Sequence, residues 1–179
     1  MTGEKQHVEV VPSRTILVVD DEAQVRRALS RVLQAAGYQV LVAESGEEAL
    51  QVLQQKPVQL LISDNTMPGM QGIDLLKQVR ERYPHVVRIM LTGDADPETP
   101  VRSINEGEVY RFIRKPWNNS DLRTIVHFAF ELILLEDEKR ELIGLVRKLR
   151  EAREAGAAPD PADVETELIL LAEAELLKD

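Results

Sequence analysis

Short apolar runs alternate along most of the chain with stretches in which apolar residues recur every three or four positions. The runs at residues 16–19, 39–43, 58–62, 86–91 and 109–113 have strand length, and most are rich in β-branched residues. They are hydrophobic almost throughout rather than alternating, the pattern of parallel strands covered on both faces. Between them, Ala23, Val25, Ala28, Leu29, Val32, Leu33 and Ala36 mark one helical stripe, with Gly37 as its stop. Ser45 and Glu48 have capping-box spacing ahead of Ala49, Leu50, Val52 and Leu53. Ile73, Leu75, Leu76 and Val79 form a third stripe, residues 97–107 a weaker fourth, and a fifth helix starts near residues 119–121. Five β-α units in strict alternation predict an α/β fold: a doubly wound, five-stranded parallel sheet with right-handed crossovers.

Composition narrows what such a domain does. At 179 residues the chain suffices for one domain with a real core, and 44% hydrophobic with 30% charged residues is ordinary for a globular protein. A formal net charge of -9 argues against a nucleic-acid surface, and no run approaches the roughly 20 apolar residues of a membrane helix. Neither nucleic acid nor membrane is therefore an expected partner. The polar start lacks the apolar stretch of a signal peptide, so a cytoplasmic location is expected. Without cysteine there is no thiolate metal site, and His7, His85 and His127 are scattered without metal-ligand spacing.

The polar residues at the strand ends suggest chemistry. Ligands of open α/β sheets bind beyond the carboxyl ends of the strands. There the chain offers Asp20, Asp21 and Glu22 after the first run, Ser63 and Asp64 after the third, Thr92 and Asp94 after the fourth, and Lys115 after the fifth. Crowded carboxylates repel one another unless a cation joins them, and Mg²⁺ prefers such oxygen ligands. A carboxylate is also a competent nucleophile for phosphoryl transfer, a reaction that needs little beyond positioning and charge stabilisation.

Four segments, ILVVDDE at 16–22, LISDNTMPGMQG at 61–72, MLTG at 90–93 and FIRKPW at 112–117, together resemble the receiver domain of bacterial two-component response regulators. The resemblance covers about residues 14–135 and implies a flavodoxin-like sheet of order 2-1-3-4-5. It also implies that Asp64 is the phosphoacceptor, served by a histidine kinase or phosphotransfer protein. Mg²⁺ would be held directly by Asp21, Asp64 and the backbone carbonyl of Thr66, with Asp20 acting mainly through water. Thr92 and Lys115 would bind phosphoryl oxygens, Thr92 and Phe112 would act as switch residues, and the Lys115-Pro116 bond would be cis. Thr66 and Asp94, two positions after Asp64 and Thr92, depart from the most familiar receivers and are expected to set phosphoryl lifetime. Slow self-dephosphorylation does not make such a protein an enzyme.

Residues 1–13 read as a tail and residues 136–179 as a helical extension. Ile125, Phe128, Leu132, Leu135, Lys139, Leu142, Val146, Leu149 and Arg153 recur at steps of three and four, a heptad-like seam. Leu122, Val126, Ala129 and Ile133 would face the sheet instead. After a break at residues 156–161, a short apolar helix is expected around Val164 to Leu177. A homodimer is expected through these helices, through the face of the fourth helix, fifth strand and fifth helix, or both. Receivers carrying Lys-Pro-Trp often precede enzymatic output domains, so the chain is also compatible with an N-terminal piece of a larger regulator. Two rival functions remain: a phosphorylation-independent scaffold, and a metal-dependent phosphatase with an aspartyl-phosphate intermediate. The adjacent aspartates after the first strand disfavour the phosphatase, whose class carries Asp-x-Asp there.

Overall fold

The computed structural model describes residues 14–93 and 109–154. In chain order its elements are β1 (Thr15–Val19), α1 (Ala23–Ala35), β2 (Gln39–Ala43), α2 (Gly46–Gln55), β3 (Leu60–Asp64), α3 (Gly72–Arg82), β4 (Val87–Thr92), β5 (Arg111–Arg114) and α4 (Asn119–Glu154). All paired strands run parallel in the order β2-β1-β3-β4-β5. The expected fold class and strand order are therefore present. The expected fourth helix, Asp94, the N-terminal tail and the helix around Val164 to Leu177 lie outside the described residues, so the helix expected as the fifth is α4 here.

The strand pleat divides the core. Ile16, Val18, Leu60 and Ile62 point to a layer completed by Leu29 and Leu33 of α1 and by Leu122, Val126 and Ala129 of α4. Leu17, Val19 and Leu61 point the other way, onto Ala49 and Leu53 of α2 and Leu75, Leu76 and Val79 of α3. Leu122, Val126, Ala129 and Ile133 are buried, as their place in the stripe requires. Tyr38 closes the first layer by stacking on Phe130, with ring centroids 5.0 Å apart.

The ladders begin later than the apolar runs in three strands. Val58, Val86 and Val109 are buried but precede β3, β4 and β5. Apolar runs report burial, whereas a strand needs ladder partners. The Gln59 side chain shows the transition, since its Oε1 accepts the backbone N–H of Thr15 at 2.9 Å. At α2 the expected cap forms with a shift of one residue. Ser45 Oγ accepts Glu48 N–H at 3.2 Å, while Glu48 Oε2 accepts the N–H of Glu44 at 2.7 Å.

The chain divides after Ile133 into two units, two residues before the expected boundary. Taken by itself, the described part of the second unit is helical and carries exposed Leu135, Leu142, Ile143 and Val146. Ion pairs Lys139–Glu136, Arg140–Asp137 and Arg147–Glu151 lie along it. Among the described residues, no helix is long and apolar enough to cross a membrane.

Candidate functional site

Strand order reverses between β1 and β3, and both strands end in an acid at that crevice. Asp20 follows β1 and is 0% exposed; Asp64 closes β3 and is 6% exposed. Register brings the ends together, with Val19 opposite Ser63, Asp64 opposite Leu91 and Thr92 opposite Arg114. The loop after β5 then returns Lys115, whose N–H donates to the Thr92 carbonyl at 2.8 Å. The Lys115-Pro116 bond is cis, as expected.

Lys115 Nζ lies 2.8 Å from Asp20 Oδ2 and 2.8 Å from Asp64 Oδ1. Each carboxylate has a second tie. Asp20 Oδ1 accepts Glu22 N–H at 2.8 Å, and Asp64 Oδ2 accepts Thr66 N–H at 3.1 Å. Burial pushes the Lys115 ammonium toward deprotonation, but hydrogen bonds and charge from Asp20 and Asp64 together outweigh it. Its pKa is accordingly raised above the ordinary lysine value. A buried carboxylate needs such a partner, because an isolated charge there is costly.

The remaining expected residues fall around this centre. Thr92 is buried at the end of β4, and Phe112 is half-buried on β5 against the α2–α3 layer. Thr66 is exposed beside Asp64. Asp21 is exposed as well, its carbonyl accepting from Arg26 Nη1 at 2.9 Å. His85 and His127 make ring contacts with Tyr83 and Phe128. Trp117 packs against the α1–α4 layer.

Among the described residues no three acidic or histidine side chains are grouped to hold a metal ion. Lys115 lies between Asp20 and Asp64 and supplies their countercharge. Asp20 consequently meets Lys115 directly. The donor chemistry still fits a hard divalent cation: two carboxylates share one ammonium, which leaves negative charge, and the exposed Asp21 adds a third oxygen donor.

Two contributors escaped the sequence reading. Arg26 reaches back from α1 to the Asp20 and Asp21 carbonyls. Gly72 lets the start of α3 touch the loop after Asp64: a Cβ there would stand 2.8 Å from Asn65 Cα and closer still to the Asp64 carbonyl oxygen. Its position at the first residue of an amphipathic stripe, where glycine is a poor helix former, was the available signal.

Comparison with known proteins decides the family. A family profile described as Response regulator receiver domain matches residues 16–127. The chain belongs to that family. Among curated relatives, this receiver is 39% identical over 128 residues to the hydrogenase transcriptional regulatory protein HoxA of Cupriavidus necator, covering 72% of this chain and 26% of that protein. It is 34% identical over 114 residues to the DNA-binding transcriptional regulator NtrC of Escherichia coli, covering 64% of this chain and 24% of that one. The receiver thus spans about a quarter of the length of these relatives. Among solved structures, adenylate cyclase from Rhodopirellula baltica superposes with a TM-score of 0.70 at 34% identity, over 74% of this chain and 98% of that one.

Proposed function

We propose that this receiver accepts a phosphoryl group on Asp64 from a histidine kinase or phosphotransfer protein in the cytoplasm, with Mg²⁺ as cofactor. The observation that carries the proposal is the convergence of Lys115 Nζ on Asp20 and Asp64 at the reversal of the sheet. In the transfer, an Asp64 carboxylate oxygen attacks phosphorus, the P–N bond of a phosphohistidine breaks, and the imidazole leaves with the bonding electron pair. Mg²⁺ would be held by Asp21, Asp64 and the Thr66 carbonyl, where it neutralises phosphoryl charge. Asp64 is pre-oriented by Thr66 N–H; Lys115 is placed to pair with a phosphoryl oxygen, and Thr92 to offer its hydroxyl to another. Thr92 and Phe112 would relay the change, while Thr66 and Asp94 would tune the lifetime of the acyl phosphate. Hydrolysis returns the starting carboxylate slowly, so the chain acts as a switch rather than an enzyme.

One surface suits output. Leu135, Leu142 and Val146, 62%, 49% and 57% exposed, share one side of the second unit's helix. Spacings of seven and four place them in a seam where a second copy of the chain would bury them. Direct nucleic-acid binding forms no part of this proposal, given the net charge of -9.

The test is incubation of the purified chain with acetyl phosphate and Mg²⁺, followed by phosphate-affinity electrophoresis. Wild type is expected to shift, and Asp64→Asn or omission of Mg²⁺ to abolish the shift. A shift that persists in Asp64→Asn would remove the assignment. Rapid multiple turnover of small phosphate esters would favour the phosphatase, and unaltered signalling by Asp64→Asn would favour the scaffold.

A further inference from the structure

Arg26 sits in the first turn of α1, where a positive charge opposes the helix dipole. That turn carries no acidic residue, and its N-cap residue, Glu22, makes no side-chain capping bond. The usual devices for fixing a helix start are therefore missing at the loop that bears the acid pair. In their place, Arg26 Nη1 donates to two successive carbonyls, those of Asp20 at 2.5 Å and Asp21 at 2.9 Å. Its Nη2 lies 3.7 Å from Glu44 Oε2 across the ends of β1 and β2, and Glu44 is itself held through its N–H by Glu48. The Arg26 side chain as a whole is largely buried despite its charge.

Fixing both carbonyls fixes the two peptide planes that flank Asp21, and with them the direction in which its Cα–Cβ bond leaves the loop. Arg26 takes the carbonyls and leaves the carboxylates free: Asp20 for Lys115, and Asp21 for solvent. We propose that Arg26 is a positioning residue for the receiver's cation site, holding the backbone of Asp20 and Asp21 so that the Asp21 carboxylate stays open to solvent and available to a cation bound at Asp64. This inference rests on the phosphoacceptor reading given above.

A second role for the same group predicts the opposite sign. As a mere positive charge near the acids, Arg26 would repel Mg²⁺, and its removal would tighten binding. Arg26→Lys separates the two, since lysine keeps the charge but is shorter and lacks the second guanidinium nitrogen, so it cannot hold both carbonyls and Glu44 at once. Mg²⁺ binding to the full chain would be measured by calorimetry for wild type, Arg26→Lys and Arg26→Gln, alongside urea unfolding and phosphorylation by acetyl phosphate at graded Mg²⁺. Supporting groups behind metal ligands typically change affinity by about 10–100-fold. Arg26→Lys is expected to weaken Mg²⁺ binding by about tenfold, with the phosphorylation rate recovering toward wild type at saturating Mg²⁺. If Arg26→Gln unfolds too readily to measure, Arg26→Lys below its own unfolding transition decides the matter. Unchanged or tighter Mg²⁺ binding in Arg26→Lys overturns the positioning role while leaving the phosphoacceptor reading intact. A wild-type chain that takes no phosphoryl group from acetyl phosphate at any Mg²⁺ concentration overturns that reading instead.

Discussion

An ammonium 2.8 Å from each of two carboxylates, as Lys115 is from Asp20 and Asp64, leaves both acids dependent on one group. Removing it strands two buried like charges, a change that costs about 3–5 kcal/mol where burial is complete. Lys115 keeps some exposure, so Lys115→Met is expected to lower unfolding stability by about 2 kcal/mol at pH 7, read from urea denaturation. The pH dependence follows from the raised lysine pKa in the folded chain. The stabilisation is complete below the unfolded value of about 10.4 and is lost as pH rises through the higher folded value. The gap between wild type and variant should accordingly close on the alkaline side and stay flat near neutrality. A gap that ignores pH would assign the effect to packing. At this scale Asp64, Thr92 and Lys115 were legible because their residue types stand at strand ends, where an open sheet binds ligands. Which of Asp20 and Asp21 is buried was not, since adjacent residues share a pattern and only Lys115 separates their surroundings. Arg26 was hidden because an arginine in an amphipathic helix reads as solvated surface.

Helices and strands set these side chains in place, and the start of α3 shows how tightly. Gly72 N–H donates to the Asn65 carbonyl at 2.9 Å, and the glycine has no room for a Cβ against the Asp64–Asn65 backbone. Gly72→Ala must push the acceptor loop away, at a cost of about 2 kcal/mol, with slower phosphorylation by acetyl phosphate. Gly37→Ala is the matched control. Its φ of 89° disfavours alanine by about 1 kcal/mol, but the space around it is open and remote from the acids, so phosphorylation should be unchanged. Equal phosphorylation by both variants would show that the loop gives way without consequence. Element types were readable from periodicity alone, while strand starts were displaced, because Val58, Val86 and Val109 are buried without joining a ladder. The reciprocal cap at Ser45 was visible in its spacing; its reach to Glu44 depends on how the chain leaves β2.

For the whole molecule, the order β2-β1-β3-β4-β5 is what lets the ends of four strands meet at one crevice. That order came from family resemblance, since alternation of elements fixes a parallel sheet but not the sequence of neighbours. The exposed Leu135, Leu142 and Val146 supply the test at this scale. Sedimentation of Leu142→Glu with Val146→Glu is expected to show monomer at concentrations where wild type self-associates. Identical sedimentation of both would send that face to another partner.

The tether from Lys115 has a mechanical implication. Its ammonium leaves the edge of the sheet at β5, passes the end of β4 and grips acids on the two strands beyond. An anion arriving on Asp64 competes for that grip, and whatever share of the lysine it captures is withdrawn from Asp20. Under the proposed function, a covalent event on the third strand would thus be felt as a tug on the outermost one, without any intervening side chain having to pass the message along.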